Sequence, residues 1–150
     1  GSDVPAGADP DAARAAIAGI SPAIEIVDIT APPEDPERIL GDNIYQRHVV
    51  LGGTVPARAG AQADGLTCRI IRRGKETART TDPQANTGQW VGIVRHVADV
   101  LAAFGERLRA GEIIITGSVV PPLILERGED DIAFEVDPIG GVAVRFSDFK

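Results

Sequence analysis

The chain has 150 residues, of which 43% are hydrophobic and only 4% aromatic, with no methionine, one cysteine and a formal charge of −7. That length suits one domain, able to bury about 68–70% of its unfolded surface, with a core of Val, Ile, Leu and Ala filled out by Trp90 and the phenylalanines. The acidic balance argues against nucleic acid or an anionic membrane as partner, the lone Cys68 excludes an internal disulfide and points to a reducing, cytoplasmic setting, and no apolar run approaches the ~20 residues of a membrane span.

Gly1 and Ser2 read as the scar of a cleaved expression tag, and residues 1–8, small and polar, as a flexible lead-in to a single domain over 9–150. Asp9 and Pro10 followed by "DAARAAIAG" carry the signature of a short helix, with an acidic N-cap, proline at the first helical position and Gly19 past its end. "AIEIVDIT", residues 23–30, reads as a buried strand. Alternation puts Glu25 on one face with Ala23 and Val27, and Asp28 near the exit on the other. An unpaired carboxylate at position 25 would cost several kcal/mol, so a partner is expected there. A turn of helix is expected at 35–40 before Gly41, a strand in "HVVLGG", and a hairpin over "GLTCRIIRRGKETART" that turns near Gly74 and Lys75.

The clearest helix spans about 88–104, with Trp90, Val94, Val97, Leu101 and Phe104 on its core face and Arg95, His96 and Asp99 facing solvent. Four strands follow, in "EIIITG", "LILERG", "DIAFEVD" and "GVAVRF", with turns at 127–129 and 139–141. The order is that of an α+β fold: a mostly β body with one long packed helix.

Among chemistry-bearing residues, His96 reads as a solvated helix residue, and His48, opening an apolar strand, as structural more readily than catalytic; neither has a metal-ligand spacing. Ser118 and the other serines lack a nucleophile elbow, and Lys75 and Lys150 are not placed to be buried bases. "ITGS" at 115–118 has two readings of equal weight: a strand that ends in a hydroxyl-rich turn, or a site where Thr116 and Ser118 hold a carboxylate while Gly117 lets the backbone approach it.

In order and separation, "SPAIEIVDI", "GDNIYQRHVVLGG", "LRAGEIIITGSVVPP" and "VAVRF" resemble the C-terminal part of the 2-keto-4-pentenoate hydratase family, within the fumarylacetoacetate hydrolase superfamily that also includes 4-oxalocrotonate decarboxylases. The resemblance runs from about residue 12 to 146 and implies a fold of the fumarylacetoacetate hydrolase C-terminal type. It implies that Glu25 is one ligand of a Mg²⁺ or Mn²⁺ ion, that Ser118 and Asn43 meet the substrate or shape the wall beside it, and that the reaction is hydration of an unsaturated 2-oxo acid through an enolate, as in aromatic catabolism. Thr116, Asp28, Tyr45, Arg47 and His48 are further candidates, the last three as substitute proton-transfer groups. The family's Glu-x-Glu pair and its proton-transfer lysine lie in a stretch before this region. The resemblance therefore implies an upstream half or a partner chain that completes the ligand set, and unpaired sheet edges that favour an oligomer. The alternatives are a non-catalytic binding or assembly subunit that keeps the fold, and a 4-oxalocrotonate decarboxylase-like enzyme.

Overall fold

In the computed structural model, residues 1–29, 34–126, 128 and 131–147 are described. They form α1 (Pro10–Ala16), β1 (Ala23–Val27), α2 (Pro36–Gly41), β2 (Gln46–Leu51), β3 (Thr67–Arg72), β4 (Lys75–Thr80), α3 (Trp90–Ala103), β5 (Asp131–Asp137) and β6 (Gly140–Arg145). The body is a four-stranded antiparallel sheet in the order β4-β3-β5-β6. β1 and β2 pair antiparallel as a separate two-stranded sheet whose strands both touch β6.

Local chemistry accounts for most of these elements. Asp9 caps α1 by accepting from the Asp11 and Ala12 N–H groups at 2.9 and 2.8 Å, with Pro10 at the first helical position. Asp35 caps α2 in the same way, accepting from the Arg38 N–H at 3.0 Å. The β3–β4 hairpin turns through Arg73 and Gly74, at φ +50° and +70°, the left-handed pair that a two-residue hairpin loop needs. α1 ends at Ala16, with Ile17 rather than Gly19 as its cap. Gly19 serves a different need: a Cβ there would come within 2.7 Å of the Val55 carbonyl oxygen, beside the Ile20–Val55 bridge.

The sheet follows the half-buried alternation. Cys68 and Ile70 of β3 pair with Val136 and Phe134 of β5 and are buried with them, whereas Arg69 on the opposite face bridges Glu135 and Asp137, each at 2.9 Å. Those ion pairs are partly exposed and add little; the apolar face is the stabilising one. α3 contributes Trp90, Val91, Val94 and Ala98 to the same core, and α1 packs on α3 through the buried Ala13 and Ala16.

Four expectations need correction. Phe104 is not on the core face but 81% exposed. The helix closes one residue earlier in a Schellman turn, with the Glu106 N–H donating to Leu101 O at 2.9 Å and the Gly105 N–H to Ala102 O at 3.0 Å. Residues 2–8 are not a loose lead-in: Val4 is buried and bridges Leu108, and the polar face of α3 holds the segment. Asp99 Oδ1 accepts from the Gly7 N–H at 2.7 Å, and Arg95 Nε donates to Ala8 O at 2.7 Å. "EIIITG" at 112–117 forms no strand, because no neighbouring strand offers it a ladder. "LILERG" likewise shows no strand over its described residues 123–126 and 128. Most of the turn expected at 127–129 lies outside the described residues.

Leu66 is the largest side chain in the structure that is essentially sealed from water, at 1% exposure. Leu66→Ala is therefore expected to cost about 2–5 kcal/mol of unfolding free energy, read from the midpoint of a urea transition at unchanged slope.

Candidate functional site

β1 and the segment 111–125 border a cavity of about 1200 Å³ whose floor is the apolar face of the main sheet. Ile70, Ile132, Phe134 and Val136 form that floor, with Leu66, Cys68, Trp90 and Val94 around it. Of the expected site residues, the cavity wall takes in Glu25, Asp28, Thr116 and Ser118, together with Gly117. Residues more than 85 positions apart thus meet on one surface, which no local pattern in the sequence announces.

Glu25 is not buried, contrary to the reading of 23–30 as a core strand. Glu25 lies exposed on the wall of the cavity, and among the described residues β1 pairs with β2 alone. Among the described residues no hydrogen bond or ion pair meets its carboxylate. Asp28, one residue past β1, is exposed, and its backbone N–H donates to Tyr45 O at 3.0 Å. Thr116 is half-buried. Ser118 is exposed and donates its hydroxyl to Val120 O at 2.5 Å, which leaves the oxygen's lone pairs free to accept. Gly117 sits at φ +92°, a turn that a side chain would strain.

Asn43, Tyr45, Arg47 and His48 do not line this cavity. Asn43 donates its amide to Gln46 Oε1 at 2.8 Å. Tyr45 is buried, and Asn43, Ile44 and Tyr45 all have φ between +52° and +63°, a left-handed turn that costs a β-branched residue such as Ile44 most. Arg47 pairs with Asp42 at 2.6 Å; that hydrogen bond, with the nearby negative charge of Asp42 and Asp28, holds its guanidinium more firmly protonated than usual. His48 is exposed beside Ile26. His96 is exposed on α3, as its place on the polar stripe predicts.

Two lining residues were not singled out in the sequence. Arg109 and Glu112, in "LRAGE", also face the cavity, and Arg109 is the one Arg or Lys among its described lining residues. The Glu112 carboxylate accepts from the Arg109 backbone N–H at 2.7 Å. Their signal was adjacency to the isoleucine run, too weak to rank them.

Glu25 and Asp28, with the hydroxyls of Thr116 and Ser118, are hard oxygen donors of the kind that Mg²⁺ and Mn²⁺ take, and one or two carboxylates with waters and substrate form a common Mg²⁺ site. Among the described residues, no three His, Cys, Asp or Glu side chains gather around one point, so the fit is one of donor type and not of a closed cage.

Burial pushes the Cys68 thiol, on the same floor, up from 9.0 to about 11. At neutral pH it is a thiol and not a thiolate. Since the folded value lies above the unfolded one, the unfolded chain loses its proton first, and this group's stabilising contribution is complete below about pH 9 and lost as pH rises toward 11. Cys68 is expected to resist iodoacetamide in native protein at pH 8 and to react fully in urea. Native labelling as fast as that of a free thiol would contradict it.

No family model matches the chain. The 2-keto-4-pentenoate hydratase 1 of Dechloromonas aromatica (strain RCB) is 29% identical over 129 residues, a match that takes in 84% of this chain and 48% of that protein. Two solved structures of 4-oxalocrotonate decarboxylase from Pseudomonas putida G7 share the fold. The complex with calcium and acetate aligns at TM-score 0.78 and 24% identity, over 97% of this chain and 57% of that one. The complex with magnesium and adipate aligns at 0.82 and 22%, over 97% and 56%. The chain therefore resembles the C-terminal part of the hydratase family and has the fold of the fumarylacetoacetate hydrolase C-terminal type, and it spans about half the length of the relative it matches. Among the described residues no helix is long and apolar enough to cross a membrane.

Proposed function

We propose that this chain carries one wall of the active site of a hydratase-like lyase acting on an unsaturated 2-oxo acid, with Glu25 as one ligand of a Mg²⁺ or Mn²⁺ ion and the other ligands outside this sequence. The observation that carries the reading is the convergence of Glu25 from β1 with Thr116 and Ser118 on one apolar-floored cavity. The likeness to a 2-keto-4-pentenoate hydratase supports the substrate class.

In this reading Ser118 and Thr116 bind the substrate carboxylate, Ser118 turning its hydroxyl from Val120 O to do so. Asp28 lines the same cavity as a second carboxylate. The isoleucines of 113–115 and the sheet floor take the hydrocarbon chain out of water, which strengthens every polar contact inside. A divalent cation, when bound, would supply positive charge where the keto acid's oxygens become negative on enolisation. Hydration and decarboxylation of such acids share an enolate, which decarboxylation forms from the keto acid as the C–CO₂ bond electrons move onto the carbonyl oxygen, so a decarboxylase-like activity is the neighbouring proposal. The protein would work in a reducing compartment and in a complex with the polypeptide that completes the ligand set. A non-catalytic assembly role is the competing reading, favoured by the lack of a three-ligand cluster among the described residues.

Calorimetry with MgCl₂ is expected to show binding in the millimolar range, weakened several-fold in Glu25→Gln, while the chain alone leaves 2-keto-4-pentenoate unchanged in a spectrophotometric assay. Tight stoichiometric Mg²⁺ binding that ignores Glu25→Gln would refute the ligand role. In an active, completed complex, Ser118→Ala should raise KM by roughly 10- to 100-fold, the worth of one hydrogen bond to a charged group, with a smaller change in kcat.

A further inference from the structure

The loop 81–89, between β4 and α3, holds the turn that carries Ser118. It is knit to itself and to the start of α3. Asp82 Oδ1 accepts from the Gln84 N–H at 3.1 Å, Gln84 Oε1 accepts from the Trp90 N–H at 2.8 Å, and Trp90 Nε1 donates to Thr87 Oγ1 at 3.1 Å. Trp90 is buried at 7% exposure, so this side chain moors the loop to the close-packed core.

From that mooring two side chains reach the turn. Asn86 Nδ2 donates to Val119 O at 3.2 Å. The Thr87 methyl lies 3.5 Å from the place that a Cβ on Gly117 would take, against the open side of the glycine. An outside brace is needed here, because a glycine at φ +92° gives the turn its shape but has no side chain to lock it. Ser118 adds its own bond to Val120 O at 2.5 Å, and among the described residues these two are the hydrogen bonds that reach 117–120. They are not equivalent. A hydroxyl has one proton to donate and a carboxylate can only accept, so binding a carboxylate turns the Ser118 proton away from Val120 O. The Asn86 bond is the one that survives.

We infer that Asn86 is a positioning residue for Ser118: its amide fixes the Val119 peptide and, with the Thr87 methyl against Gly117, keeps the Ser118 side chain in place on the cavity wall once the bond to Val120 O is given up. The inference rests on the reading of Ser118 as a substrate-binding hydroxyl and adds the group that orients it. Holding that hydroxyl before the ligand arrives lowers the ordering cost of binding. Asn86 itself is exposed, so its removal falls on the turn and not on the stability of the fold.

The test is made on the full chain by NMR, with Asn86→Asp, which keeps the side chain's shape and removes its N–H donor at pH 7, and with Asn86→Ala. The Ser118 Hα–Hβ couplings report whether the side chain holds one rotamer. The unaltered chain is expected to show one; both variants should show rotamer-averaged couplings, with thermal midpoints within about 2 °C of the unaltered chain. Averaged couplings in the unaltered chain, single-rotamer couplings in either variant, or a loss of order that comes with a larger fall in midpoint overturns the assignment. A second arm titrates 2-oxopentanoate, a 2-oxo acid with no double bond for water to add to, and follows the Gly117 and Ser118 amide signals. Its binding should weaken by about 3- to 10-fold in Asn86→Asp and at least as much in Ser118→Ala. Undiminished binding by Asn86→Asp, where Ser118→Ala weakens it, also overturns the assignment. A response that is absent from the unaltered chain, or untouched by Ser118→Ala, sinks the substrate role of Ser118 instead, while the couplings still decide whether Asn86 orients it.

Discussion

The antiparallel pairing of β3 with β5 is the constraint from which the rest of the molecule follows. Its register sets Cys68 opposite Val136 and Ile70 opposite Phe134, and so gathers the bulky apolar side chains of two strands on one face. α3 covers part of that face with Trp90, Val94 and Ala98, and α1 braces α3 from behind. A one-residue slip would carry Arg69 and Glu135 into the apolar layer and the aliphatic residues into water, so the register is strongly specified.

The part of that face not covered by α3 becomes the floor of the cavity. Everything of functional interest hangs over it: the edge of β1 with Glu25 and Asp28 on one side, and the Thr116–Ser118 turn after the isoleucine run on the other. The acids are open to solvent and the floor is not polar, so the cavity offers charge at its rim and apolar surface beneath. The buried Cys68 belongs to the floor and stays protonated at neutral pH, which keeps negative charge out of the apolar layer.

Among the described residues no hydrogen bond reaches the backbone of 113–117, of which 114–116 are half-buried. The same segment bears the proposed substrate hydroxyl of Thr116 and leads into that of Ser118.

Sequence by itself determined the elements whose cause is local: the Asp9–Pro10 helix start, a turn of helix at 35–40, a hairpin over 65–80 whose turn it set one residue late, near Gly74 and Lys75, the amphipathic stripe of α3 and the two closing strands, along with the family resemblance and the Thr116–Ser118 turn as a candidate site. Tertiary structure alone decided that Glu25 is exposed, because burial depends on what lies across from a strand and alternation says only which residues share a face. It also placed Asn43, Tyr45, Arg47 and His48 off the cavity wall, though they follow Glu25 closely in the chain, since the β1–β2 connection turns them away through a left-handed bend. And it alone showed that a run with every local qualification for a strand forms none, because a strand is made by its neighbour's hydrogen bonds and not by its own side chains.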